Sequence, residues 1–453
     1  MELSPSTSEL GIEQAGDATL LDSLTLTGPC QTCTHILPEN AGNIDGTKLK
    51  IKPGDVICLQ GGVKYGPLRF INVRGTDASP IFITSCGGKA VVEGRDYSIK
   101  FLHSKYFRLT GAEGGHGILL TGGNLGLSLD YLTTNFEIDH IEVAQVGFAG
   151  IIAKTDPTCD DSTTRDHFVM RDVSIHDNFI HATGGEGIYV GNSFYANGVK
   201  QPCGVRMPHA IKGIDIYNNL VLLTGWDGIQ LGSAVEGASV YNNDVKFYGT
   251  AGQAMQNSGI QIGEGTGGRC FNNLIKDGTG NGITMLGLAD NLVAGNVIIG
   301  TGAAGIFCDD RYSPGPAFRF FDNIIINPKE EGIRLYSIKV KSIVNGNLII
   351  NPPVFPKNPD VPESNDFIFM RSKNVRVVQQ NNILTRDVSK VRDIYEAAFR
   401  FDAIGQSGGN SSMISTSVEG ITEQTLADDQ AASYPRPLKI RELLKGERVL
   451  LKF

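Results

Sequence analysis

Asn178-Phe179-Ile180-His181-Ala182-Thr183-Gly184-Gly185-Glu186-Gly187-Ile188-Tyr189-Val190 returns forty-one residues later as Asn219-Leu220-Val221-Leu222-Leu223-Thr224-Gly225-Trp226-Asp227-Gly228-Ile229-Gln230-Leu231. Each copy opens on Asn, runs through a short apolar strand, and reaches a Gly-Ile pair nine residues after the Asn. The Asn recurs at Asn243, Asn273, Asn296, Asn323, Asn347 and, more loosely, Asn382, and the Gly-Ile pairs at Gly259, Gly282, Gly305 and Gly332. Gly259 follows its Asn by sixteen residues, which reads as a seven-residue loop insertion. A variable period around a fixed strand register is the mark of a solenoid whose loops differ in length.

The repeat is neither leucine-rich nor helical. Its strands are short and β-branched, and its turns carry Gly and Asn. Two or three short strands per repeat make one coil of a parallel β-helix, so the expected class is all-β, a single-stranded right-handed parallel β-helix with caps at both ends. Asn at the same turn of successive coils can stack into a ladder whose amides bond backbone groups that a bend would leave unpaired. The asparagines are therefore read as turn builders.

Composition agrees. Among 453 residues, 41% are hydrophobic and 19% charged, too apolar for disorder and enough for a long core. The net charge of −8 and the lack of any Lys/Arg-rich run argue against a nucleic-acid partner. No apolar stretch approaches membrane-spanning length. Met1-Glu2-Leu3-Ser4 lacks the basic start and apolar run of a signal peptide, which leaves a processed exported form and an intracellular protein both open.

Cys30 and Cys33 form a lone C-x-x-C without a second pair at zinc spacing, so no metal site is expected there. Cys159 and Cys203 lie in polar loops flanking one coil and are a candidate disulfide. Cys58, Cys270 and Cys308 stand in apolar strand contexts and read as buried thiols. The cysteines lean towards export, and the expected location is secreted, periplasmic or cell surface. His176 and His181 read as turn residues.

Residues 1–48 read as a leader and cap, 49–384 as the β-helix, and 385–453 as a C-terminal cap with helix-capable text from Lys390 to Phe401 and from Ile440 to Lys445. The head runs Pro53-Gly54-Asp55-Val56-Ile57-Cys58-Leu59, Gly61-Gly62, Pro80-Ile81-Phe82-Ile83 and Val91-Val92-Glu93-Gly94. This stretch, about residues 50 to 111, resembles the opening coils of bacterial right-handed β-helix proteins of the pectin-lyase-like kind, in particular the chondroitinase B and alginate lyase group. The resemblance implies a carbohydrate-active protein with a polysaccharide or oligosaccharide partner.

Strand alternation then says which side chains can carry chemistry. In Gly-Ile-x-ψ-x, Ile and ψ point inward, and the two x positions and the residue before Gly point outward. The first outward column reads Ile152, Tyr189, Gln230, Gln261, Thr284, Phe307, Arg334. The second reads Lys154, Gly191, Gly232, Gly263, Leu286, Asp309, Tyr336. The position before Gly reads Ala149, Glu186, Asp227, Ser258, Asn281, Ala304, Glu331. Carboxylates, amides, Tyr and Arg with glycines beside them suggest a groove for a long polar ligand. Trp226, the only Trp, Asn192 and the aromatic residues near Glu186 suit stacking and hydrogen bonding to sugars.

Three chemistries are open. Glu186 and Asp227 share a register in adjacent repeats, about 5 Å apart, the spacing of a retaining glycosidase pair; a hydrolase on these two is slightly preferred. Cys308-Asp309-Asp310-Arg311 resembles the adjacent aspartates of polygalacturonase-type glycosidases but lacks their third Asp and their His-Gly; the pair could instead bind calcium, and no other cofactor is expected. A uronate lyase needs a base and a cation against the substrate carboxylate. In chondroitinase-B-like enzymes, Lys and Arg on neighbouring coils take these roles; here Arg334 supplies the cation, with Tyr189 or Lys154 as base. The expected catalytic residues are thus Glu186, Asp227, Tyr189, Asp309 and Arg334, with Lys154, Asn192, Trp226, Gln230, Gln261, Asp310 and Arg311 binding substrate. A non-catalytic glycan-binding surface protein is the remaining alternative.

Overall fold

The computed structural model describes residues 30–111, 115–310, 314–357 and 359–392. Three long parallel sheets of thirteen, twelve and twelve strands run side by side, and each coil of chain gives one strand to each sheet in turn. The first sheet runs from His35–Ile36 to Val377–Gln380, the second from Lys64–Tyr65 to Ile383–Thr385, and the third from Asn43–Asp45 to Ile368–Met370. This is a right-handed parallel β-helix, the hand that parallel crossovers take. No helix among the described residues is long and apolar enough to cross a membrane.

Pairing begins earlier than the expected boundary at residue 49, because His35–Ile36 and Asn43–Asp45 already lie in register with the strands of the next coil. Arg311, residues 1–29, and nearly all of the expected C-terminal cap with its helix-capable stretches lie outside the described residues.

Short β-branched strands suffice here because every coil buries its inward side chains against the coils above and below. The Ile of each Gly-Ile pair illustrates it: Ile188, Ile229, Ile260, Ile283, Ile306 and Ile333 are all fully buried and pair rung to rung. The Gly before each Ile is needed where coils touch: a side chain on Gly228 would collide with Val245 and with the Gly259 carbonyl.

The asparagine ladder is continuous from Asn178 to Asn382. Each side-chain Nδ2 donates to Oδ1 of the next Asn at 2.9–3.1 Å, and each backbone N–H donates to the same oxygen. Most Nδ2 groups also donate to a carbonyl of the first sheet, such as Ile175 or Ile216. The residue just before each ladder Asn adopts a left-handed backbone: Asp177, Asn218, Asn242, Asn272, Asp322 and Asn381, with Gly295 and Gly346 in the other two coils. Asn, Asp and Gly are the residues that tolerate this conformation, so the sharp bend is written as a two-residue signal.

The cysteines pair more fully than expected. Cys33 bonds Cys58 and Cys30 bonds Cys86, so the C-x-x-C staples the chain entering the helix to two successive strands of the first sheet, and Cys58 is no free thiol. Cys159 bonds Cys203, while Cys270 and Cys308 are buried and free. Each bridge closes a loop of the unfolded chain and is worth about 2–4 kcal/mol. Reduction is accordingly expected to lower the thermal midpoint of circular dichroism by several degrees, and an unchanged midpoint would show that the bridges constrain nothing.

His176 and His181 end up at the close of one strand and within the next, not in turns. Burial opposes the His176 charge, but Asp177 and Glu137 on its two nitrogens outweigh that and lift it to about 9. The neighbouring Asp139 is bound by Arg108 at 2.6 Å, and Arg108 also reaches Glu137. With a guanidinium inside it, the Glu137–Asp139–His176 cluster is an ion-pair network on the first sheet.

Candidate functional site

The outward columns form in the register the repeat implied. On the third sheet Ile152 pairs Tyr189, Tyr189 pairs Gln230, and the series continues through Gln261, Thr284 and Phe307 to Arg334. The residues before Gly stack likewise, since the N–H groups of Gly150, Gly187 and Gly228 donate to the carbonyls of Glu186, Asp227 and Ser258. Glu186 and Asp227 are therefore one rung apart, with Tyr189 and Gln230 beside them.

The outward columns are covered at these rungs. Tyr189 is 8% exposed, Gln230 2%, Gln261 6%, Glu186 2% and Asp227 0%. Two long loops stand over this part of the sheet, one after Ile151–Ala153 and one after Ile188–Val190, tied by Cys159–Cys203. Asn192 joins them, its Nδ2 donating to the Thr155 carbonyl at 3.3 Å and its own carbonyl accepting from Ser233. His209, fully buried and pushed down to about 4 by that burial, accepts the Thr155 N–H. Tyr195 lies across Gly265, with Arg165 stacked 3.8 Å above its ring. On the other flank, Phe148 meets Trp226 edge to face at 5.2 Å. Gly191 serves the backbone: φ of +74° and the adjacent Gly232 carbonyl leave no place for a side chain.

Within this enclosure the titratable groups are strongly perturbed. Burial pushes the Glu186 carboxyl up to about 7, opposed by a backbone hydrogen bond and the Lys154 charge. Burial holds Asp227 well above the carboxylate range, although its Oδ1 accepts the Ser258 N–H at 2.6 Å. Tyr189 is raised by burial and by Glu186 and lowered by Lys154. Burial also works against the Lys154 ammonium, but the Asp156 carboxylate beside it favours the charge, and the net direction is upward. Lys154 Nζ sits 5.0 Å over the Tyr189 ring and 3.0 Å from Asp156. Ser193, which no repeat pattern marks, links the group by bonding the Tyr189 hydroxyl at 2.9 Å and accepting from Gln230 at 2.8 Å.

Four buried oxygens around this cluster have no hydrogen-bond partner among the described residues: Glu186 Oε2, Asp227 Oδ2, Gln230 Oε1 and Asn192 Oδ1. Leaving each one bare costs about 1–3 kcal/mol, and their concentration at one place makes it the candidate site.

The remaining candidates do not join it. Arg334 is five rungs from Tyr189, about 24 Å at the usual strand spacing, and its guanidinium is held by Glu331 at 2.7 Å and Glu330 at 2.8 Å. It cannot serve the same sugar as Tyr189. Asp309 stands at the same distant end, and Asp310 turns one carboxylate oxygen to the Lys339 and Val340 N–H groups. A hollow of about 500 Å³ at the last coil, lined by Lys341, Glu363, Met370 and Val377 among others, touches none of these side chains.

Residues 209–383 match the protein family described as right handed beta helix region. Among solved structures the chain is similar to an alginate lyase from Paenibacillus sp. str. FPU-7, at 19% identity and TM-score 0.45, covering 75% of this chain and 99% of that one. It is also similar to a lacto-N-biosidase from Eubacterium ramulus, at 13% identity and TM-score 0.47, covering 76% and 68%. A third is the A-module of a mannuronan C-5 epimerase from Azotobacter vinelandii, at 15% and TM-score 0.42, covering 73% and 87%. No curated protein matches the sequence.

Proposed function

We propose that the chain is an enzyme cleaving uronate-containing polysaccharide by β-elimination at Glu186, Tyr189 and Lys154. The observation that carries this reading is their grouping: Lys154 Nζ lies 5.0 Å over the Tyr189 ring and Glu186 stands on the same rung, its carboxyl pushed up to about 7 by burial. Lys154 would turn from the exposed Asp156 to neutralise the substrate carboxylate, which acidifies the proton on the adjacent carbon. Ionised Glu186 would take that proton as general base. The electron pair left behind forms a carbon–carbon double bond as the glycosidic C–O bond breaks, and the departing oxygen takes the Tyr189 proton. Gln230 and Asn192 would bond sugar hydroxyls through their bare oxygens, and Phe148 or Trp226 would bound the ring.

Hydrolysis is the second reading, favoured by the one-rung separation of Glu186 and Asp227. Against it, Asp227 is wholly buried and its carboxyl is raised by that burial, which suits a positioning residue better than a nucleophile. Three disulfides suit an oxidising compartment, so we take the protein to act outside the cytoplasm.

A panel of polysaccharides separates the readings. Elimination gives products whose double bond, conjugated to the carboxylate, absorbs in the ultraviolet; hydrolysis gives new reducing ends without it. The pH profile provides an independent sign: a base role for Glu186 makes activity rise through about pH 7, while an acid role makes it fall there. Binding without turnover of any polymer would sink both and leave a glycan-binding surface protein.

A further inference from the structure

Beyond the enclosed cluster, the third sheet continues into coils where its outward side chains are half-exposed. Phe307, Arg334 and Phe369 follow one another in the first column. Tyr336 and Arg371 follow one another in the second, their N–H groups donating to Cys308 and Leu335 carbonyls. Phe307 meets Tyr336 edge to face, 5.1 Å apart and at 72°, and Phe369 lies tilted to Tyr336 at 6.5 Å and 49°. Arg371 is exposed, its guanidinium 4.7 Å from the Tyr336 ring.

A second aromatic series in the molecule shows why this matters. On the first sheet His176, Tyr217, Tyr241 and Phe271 stack 4.5–5.0 Å apart within 11° of parallel, so each ring covers the face of its neighbour. Those rings are packed on one another. The rings at Phe307, Tyr336 and Phe369 are half-exposed and set at angles; the Arg371 guanidinium lies over the Tyr336 ring, so Phe307 and Phe369 are the rings placed to meet a flat apolar partner such as the face of a pyranose. Arg334 is matched by two carboxylates, whereas no carboxylate pairs with Arg371 among the described residues. An exposed guanidinium beside half-exposed rings is suited to a carboxylate on the sugar that they hold.

We infer that Phe307, Tyr336, Phe369 and Arg371 form a distal subsite for an acidic sugar of the same polysaccharide chain that enters the Glu186 cluster. The inference rests on the proposed function for what the chain is. Continuity comes from the fold: Tyr189 and Phe307 occupy one column, four rungs apart. At the usual spacing that is about 19 Å, a gap that an oligosaccharide of several units can bridge and a disaccharide cannot. The protein would then favour long acidic chains and grip them well away from the bond it breaks.

The test is Arg371→Glu, with Tyr336→Ala as a second variant. Arg371 is exposed, so its reversal should leave the thermal midpoint unchanged. Affinity for polygalacturonate or polymannuronate, read by affinity electrophoresis, is expected to fall about tenfold in Arg371→Glu, the size expected when one charge-assisted hydrogen bond to the polymer is removed. Affinity for neutral dextran should not move. If the wild type turns over these polymers, KM should rise for long chains while kcat/KM for di- and trisaccharides stays put. Unchanged affinity, an equal loss on short and long substrates, or a wild type that binds neither acidic polymer would overturn the subsite. Failure of the catalytic reading shows separately: absent turnover with Arg371→Glu still weakening binding leaves the subsite standing and removes the enzyme.

Discussion

Glu186→Gln is expected to lower turnover about a thousandfold while retaining polysaccharide binding, because the amide keeps the shape of the carboxyl and cannot carry a proton. Loss of a general acid or base costs roughly 10²–10⁴-fold. The same substitution should make the protein more stable above neutral pH. In the folded chain Glu186 titrates at about 7, against 4.5 for the free group. Between those values the folded state binds more protons than the unfolded one, so stability falls as pH rises from about 4.5 to 7. By pH 8 the full penalty of a buried charge is present, on the order of 3 kcal/mol. Gln carries no such penalty, so the stability difference between variant and wild type should grow through that window and level off above it. Denaturant titrations at pH 5 and pH 8 measure it. Full activity in the variant would remove Glu186 from the chemistry, and a stability gap independent of pH would mean that it is not a buried titrating acid.

Asn243→Ala is expected to cost about 3–5 kcal/mol, the upper range for a single substitution. Asn243 stands mid-ladder and fully buried. Its Oδ1 accepts the Nδ2 and the backbone N–H of Asn219, and its Nδ2 donates to the Ile216 and Tyr241 carbonyls and to Asn273. Truncation strands donors on one coil and acceptors on the next in a place water does not reach, at about 1–3 kcal/mol for each group that cannot find another partner. Asn382→Ala, at the half-buried end of the ladder, removes fewer bonds and should cost much less. Equal costs at the two positions in chemical denaturation would show that the ladder contributes little beyond its turns.

The fold could be read in the sequence because a β-helix repeats one geometry. The Gly-Ile pair sets which residue sits above which, and the column from Ile152 to Arg334 follows from counting on from it. What lay outside the repeat was not legible. Nothing in the spacing of Gln230 or Gln261 says that loops bridged by Cys159–Cys203 will cover them, because their enclosure comes from insertions with no period. Ser193 was missed for the same reason. The pairing of Cys58 with Cys33 needed the return of the entry segment to the first sheet. Arg334 misled because column membership fixes direction but not company: Glu331 lies three residues before it and neutralises it. The residue preceding each ladder Asn was a readable signal, since Asp, Asn or Gly occupies all eight positions.

The ladder also bears on how such a molecule can change size. Its amides all point the same way, each Nδ2 toward the C-terminal coil and each Oδ1 toward the N-terminal one, so every joint presents the same plug and socket. A whole extra coil carrying one Asn fits between two coils of the ladder and restores the ladder bonds. A fragment of a coil fits nowhere, and a loop between strands can grow without disturbing the joint, as the segment before Gly259 does. Length in this protein is thus quantised. Adding one coil would move the Phe307–Arg371 platform one rung further from Glu186 and leave both ends intact, which makes the distance between them a dimension that duplication can tune one coil at a time.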